Sequence, residues 1–155
     1  GQHRGTQILF GHAHLGGVSS AQIARLLLII TCEGCDRGNF ATARRGEVVR
    51  GDCVNCLMRW TIALRPDVLR PDSTCGGYMD MKNCFTDVLQ DLDAWVACAE
   101  CGAESLITEL KCGHRHERSN HFLASHDAAC RLQAGITLQS RSNPSKQWFD
   151  QSSKW

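Results

Sequence analysis

Large aromatic side chains are scarce in this chain: Trp, Tyr and Phe make up 6% of its 155 residues, with a single tyrosine. Aromatics bury the most apolar area per side chain, so a chain poor in them gains less from burial and benefits from crosslinks. Net charge is nearly absent as well, +1 at pH 7, whereas dedicated nucleic-acid domains are usually strongly basic. Apolar runs such as Leu26 to Ile30, which follows Arg25, are far too short to span a membrane. Common catalytic signatures are missing too: there is no Gly-rich phosphate loop, no His-Glu-x-x-His and no Gly-x-Ser-x-Gly. His12-Ala13-His14 ahead of Thr31-Cys32-Glu33-Gly34-Cys35 has the order of a zinc deaminase, but the general acid/base Glu is absent and Thr31 stands where that motif has proline. The expectation is a chain without catalysis, small-molecule substrate or membrane attachment.

Cysteine, by contrast, is abundant, with ten residues in the chain. Six of them form Cys-x-x-Cys pairs, Cys32/Cys35, Cys53/Cys56 and Cys98/Cys101, followed by Cys112-Gly113-His114 and His126-x3-Cys130. Two thiols at this spacing fit a tight knuckle turn that aims both sulfurs at one tetrahedral ion. A disulfide across so short a loop removes little unfolded-chain entropy, so the spacing favours zinc over a disulfide framework.

Structural zinc takes four protein ligands. Cys32, Cys35, Cys53 and Cys56 close one site with the C-x2-C-x17-C-x2-C spacing of a zinc ribbon, two knuckles joined by a hairpin. Cys98 and Cys101 need two more ligands. His126 and Cys130, four residues apart on one face of an expected helix, supply them in one pairing, leaving Cys75, Cys84, Cys112 and His114 as a third set. In the other pairing Cys112 and His114 complete the Cys98/Cys101 site. The expected cofactor is zinc, two to three ions. His116 and His121 read as surface residues of a basic, His-rich loop, and His3, His12 and His14 as doing nothing locally specific.

The expected fold is a small α+β zinc-stapled domain, with zinc-ribbon or treble-clef-like knuckles, short hairpins and two or three short helices. Residues 1–17 read as a flexible leader, 18–72 as a zinc-ribbon-like subdomain, 73–139 as a second zinc-binding subdomain and 140–155 as a polar tail. One helix begins at the capping box Ser19-x-x-Gln22, with Ile23, Leu26, Leu27 and Ile30 at helical spacing, and gives way to a strand-like Leu28 to Thr31. A second covers 84–96, where Phe85, Val88, Leu89, Leu92, Trp95 and Val96 share a helical face. A third carries His126 after Ser125. Val48-Val49 and Ser105 to Leu110 read as strands.

Cys32-Glu-Gly-Cys35-Asp-Arg-Gly-Asn-Phe40, followed by Gly51-Asp-Cys53-Val-Asn-Cys56, resembles a small Cys-rich, presumed zinc-binding domain of uncharacterised fungal proteins. The likeness covers roughly 25 residues by the span of those motifs and implies zinc and a fungal source. Where that family tends to place a cysteine shortly after the Phe this chain has Ala43, so its ligand set is not carried across.

Functionally these features describe an intracellular interaction module, nuclear or cytoplasmic, that binds a protein or a nucleic acid through loops held by zinc. The Arg-rich segment 37–70, with Phe40 and Trp60, supplies charge and a stacking surface for nucleic acid. Two other readings stand beside it: a RING-like ubiquitin-ligase adaptor, suggested by the Cys98 to His114 order, and a secreted Cys-rich effector.

Overall fold

The computed structural model describes residues 3–11, 18–70, 72–99, 102–107 and 133–142. They form nine strands: β1 (His3–Phe10), β2 (Val18–Cys32), β3 (Gly38–Arg44), β4 (Val48–Asp52), β5 (Arg59–Pro66), β6 (Cys75–Lys82), β7 (Cys84–Cys98), β8 (Glu104–Leu106) and β9 (Ile136–Ser142). Only Gln133 and Ala134 are helical among the described residues. The expected α+β class is therefore corrected to an all-β architecture.

The strands make two antiparallel sheets, one ordered β4-β5-β6-β1-β9 and the other β3-β2-β7-β8. One core is shared by both: Ile8 from β1, Ile62 from β5 and Met79 and Met81 from β6 bury with Leu26, Leu28 and Ile30 from β2 and Leu92 and Val96 from β7. Strands from the two expected subdomains, 18–72 and 73–139, lie side by side in both sheets: β2 pairs with β7, and β5 with β6.

Both helices expected over described residues are strands, for one physical reason. β2 and β7 are 15 residues each and pair with four register shifts. A bulge inserts an unpaired residue and resets which side chains face inward. On β2 the shift between Ile23 and Arg25 sets buried Ile23 and Leu26 three apart instead of two, which imitates a helical face. On β7 the shifts leave Thr86, Asp87 and Gln90 out of the pairing, and the residues at helical spacing do not share a face: Leu92 and Val96 are buried, Phe85, Leu89 and Trp95 half-buried and Val88 exposed. The apparent capping box has other partners: Ser19 Oγ donates to the Ala97 carbonyl and Gln22 Nε2 to the Pro66 carbonyl.

Residues 3–10 form β1, which sits between β6 and β9, with Thr6, Ile8 and Phe10 buried on alternate positions. The remainder of the tail beyond Ser142 and the helix expected around His126 lie outside the described residues. Leu28 to Thr31 lies inside β2, Val48-Val49 opens β4, and the strand at Ser105 and Leu106 is part of β8. One glycine is required by close approach: a Cβ on Gly51 would lie 2.2 Å from Cζ2 of Trp60, whose ring packs on the β4 backbone. Among the described residues no helix is long and apolar enough to cross a membrane.

Candidate metal centre

β2 turns into β3 through Cys32 to Cys35, and β4 turns into β5 through Cys53 to Cys56. The two turns have the same backbone. Cys32 N–H donates to the Arg37 carbonyl and Asp36 N–H to the Cys32 carbonyl, both at 2.9 Å; Cys53 N–H donates to the Met58 carbonyl at 2.9 Å and Leu57 N–H to the Cys53 carbonyl at 3.1 Å. The fourth residue after each leading cysteine takes a left-handed conformation, φ 61° at Asp36 and 64° at Leu57. Each knuckle is thus the tip of its own hairpin, one per sheet. The expected hairpin between the knuckles is corrected: β3 pairs with β2 and β4 with β5.

Because the two hairpins belong to facing sheets, their tips bring four sulfurs together. Cys32 Sγ lies 3.5 Å from Cys56 Sγ, and Cys35 Sγ lies 3.6 Å from Cys53 Sγ. All four lie within 4.8 Å of one another. A tetrahedron with metal–sulfur bonds of about 2.3 Å has sulfur–sulfur edges of about 3.8 Å. The cluster has that size, and these four cysteines could hold a metal ion.

Electrostatics at the cluster favour a cation. Gly34 N–H points to Cys32 Sγ at 3.3 Å and Asn55 N–H to Cys53 Sγ at 3.4 Å, donors that stabilise thiolate. Cys53 is brought down to about 6, chiefly by the Cys56 backbone N–H, with Asn39 and Asn55 assisting against burial. Cys35 is lowered by the Asn55 side chain and the Arg37 backbone. Cys56 receives the Met58 N–H, which favours its thiolate, yet contacts with Cys32, burial, Cys35 and Cys53 outweigh this and push it up to about 12. Thiols this close resist ionising together, and a bound cation removes that resistance.

Asn39, buried at the start of β3, is the residue that motif reading passed over. Its Nδ2 donates to the Arg37 carbonyl at 3.1 Å and lies 3.5 Å from Cys53 Sγ, while its Oδ1 accepts Val54 N–H at 2.8 Å. It ties one knuckle to the other; no spacing rule marks such an amide. Gly34 serves packing, since a Cβ there would meet Met58 Cε at 3.0 Å and Cys56 Sγ at 3.4 Å.

The other expected ligands are dispersed. Cys84 is buried as the cross-strand partner of Cys32, and burial, then the charges of Glu33 and Cys32, push it up to about 12. Cys75 opens β6 opposite Leu9, at the far end of that strand from Cys84, so one ion cannot take both. Cys98 closes β7, at the opposite end of that strand from the cluster. Cys101, Cys112, His114, His126 and Cys130 lie outside the described residues. No disulfide joins any of the seven described cysteines. No family model and no curated protein matches this chain in sequence.

Proposed function

We propose that this chain is a zinc-stapled β-sheet module that binds a macromolecular partner, protein or nucleic acid, and performs no catalysis. The observation that carries this reading is the tetrahedron-sized sulfur cluster joining the tips of two hairpins from different sheets. Four thiolates favour zinc among common divalent ions, and a set closed by protein leaves no position for water or substrate. The ion's role is to hold loops. Those loops present exposed apolar side chains, Val54, Leu57 and Met58 on the second knuckle. Such residues on a short fixed turn favour contact with a partner. Free thiolate ligands suit a reducing compartment, nuclear or cytoplasmic.

A second ion belongs to the same reading. Cys98 N–H donates to the Ala103 carbonyl and Gly102 N–H to the Cys98 carbonyl, both at 2.9 Å, and Gly102 has φ 74°. The same two hydrogen bonds and the same left-handed residue as in the other two knuckles recur between β7 and β8. Cys98 and Cys101 would then bind with two of Cys112, His114, His126 and Cys130.

Elemental analysis of protein purified without added metal, with thiol titration before and after chelation, tests both parts. The expected result is up to two zinc ions per chain, one lost in Cys53→Ser and the other in Cys98→Ser, with thiols becoming reactive on chelation. Protein free of metal, with cysteines unreactive until reduced, would indicate disulfides and overturn the reading.

A further inference from the structure

We infer that the outward face of β3 is a binding surface for single-stranded nucleic acid, which specifies the partner of the metal-stapled module and rests on that reading. Residues alternate along a strand. On β3, Asn39, Ala41 and Ala43 are buried, whereas Gly38, Phe40 and Arg44 are exposed and Thr42 is half-buried on the opposite face. Phe40 is 72% exposed, a large aromatic ring standing in water at the middle of a strand. Hydrophobic burial does not account for its position there. Its cross-strand neighbour is half-buried Ile29, which in turn pairs with exposed Val88, so the ring stands on an apolar row three strands wide.

Cations bracket the ring. Arg37 precedes the strand and Arg44 ends it, both exposed, and Arg44 lies opposite Arg25 in the register. Asp91, on the same sheet face, is engaged by Arg25 at 3.5 Å. Asp36 and Glu47 are the exposed acidic groups next along the chain, one at each end. Arg45 is turned away from this row, over the ring of Trp95. The strip therefore offers cation, open backbone at Gly38, aromatic ring, hydroxyl and cation in succession.

That order suits a flexible polyanion carrying planar groups. Arginines take phosphates, and an exposed phenylalanine takes the face of any base. Gly38 leaves room beside the ring for the base edge; even a Cβ there would meet only Ile29, at 3.6 Å. A duplex buries its base faces in the stack and cannot use Phe40 in this way. The metal's part is to fix β3: Asn39, between Gly38 and Phe40, is pinned to the second knuckle.

The test is fluorescence anisotropy of a labelled 12-nucleotide oligothymidylate and oligouridylate with the full zinc-loaded chain at low salt. Binding is expected to weaken about 5- to 160-fold in Phe40→Ala, the range for losing one stacked base. Arg44→Gln should weaken it and reduce the slope of log affinity against log salt by about 0.7. Thr137→Ala, an exposed side chain on β9 of the other sheet, should leave it unchanged. Absence of binding at low salt, equal binding of a duplex, or an unaltered Phe40→Ala affinity would overturn the inference. Zinc measured on the same samples separates the two readings: a loaded chain that ignores oligonucleotides sinks this surface alone, whereas a chain that binds no metal sinks the module beneath it.

Discussion

Asn39 and Val54 are joined by a 2.8 Å hydrogen bond from the Val54 N–H to the Asn39 side-chain oxygen, across the gap between the two Cys-x-x-Cys turns. The amide's other end faces Cys53 Sγ at 3.5 Å. One buried side chain thus fixes the relative position of the two turns and donates to a ligand atom. Groups that orient metal ligands and hydrogen-bond to them tune affinity almost as strongly as the ligands themselves.

Asn39→Ala should therefore lower zinc affinity by about 10- to 100-fold while leaving stoichiometry unchanged at saturating metal. Competition with a chromophoric chelator measures this. Affinity within about twofold of the unmodified chain would mean that the sulfurs are held by their turns alone.

The left-handed residues of the knuckles predict substitutions of opposite sign. Leu57 has φ 64° and is 74% exposed, so Leu57→Gly relieves backbone strain at little burial cost and should stabilise the chain by up to about 1 kcal/mol. Gly102, with φ 74° and open space where a Cβ would go, should lose about 1 kcal/mol on conversion to alanine. Denaturant unfolding of both variants checks the pair, and two shifts of the same sign would contradict it.

In the five-stranded sheet Asp80 is fully buried, with Arg65 Nε 2.9 Å from its Oδ2 and the Arg65 guanidinium over the Tyr78 ring at 5.4 Å. Removing the cation strands a buried carboxylate, while removing the carboxylate leaves an arginine with about a third of its side chain in water. Arg65→Ala should accordingly cost about 2 to 3 kcal/mol, more than Asp80→Asn, and combining the two should cost less than their sum. Strict additivity in thermal or chemical unfolding would show that the two groups act separately.

Cys84 sets an alkaline limit. Its thiol is pushed from 9.0 up to about 12 by burial first, with the charges of Glu33 and Cys32 adding to it. Above pH 9 the unfolded chain releases a proton that the folded chain keeps, so stability falls as pH rises from about 9 toward 12. The melting temperature should drop across that window, and less steeply in Cys84→Ala. An identical slope in the two proteins would remove Cys84 from the account.

The four-cysteine cluster was legible in residue spacing because a knuckle is local: a cysteine, two residues and a second cysteine define a turn that needs no distant partner to be recognised. The pairing of Cys32/Cys35 with Cys53/Cys56 was legible from the C-x2-C-x17-C-x2-C spacing, although β3 and β4, in different sheets, lie between the two knuckles. Cys84 and Cys75 show where counting stops. As thiols in a tally they fill a ligand set, but Cys75 opens β6 while Cys84 opens β7 just beyond the far end of β6, so the length of β6 separates them. The periodicity of 84–96 misled for a different reason. Register shifts between β2 and β7 change which residue faces the core, and spacing along one strand does not reveal its partner's bulges.

By itself, then, the sequence determined the knuckle turns, the four sulfurs that converge, and the scarcity of aromatic burial that makes a metal staple useful. Tertiary structure alone decided that the described residues are almost entirely β, that residues 3–10 lie inside a sheet, and that the two knuckles belong to opposite sheets. It also decided that Phe40 faces water while its neighbour Asn39 faces the sulfurs. The reason is physical: turns are written in local backbone preference, whereas strand register and facing depend on which distant strand a residue meets.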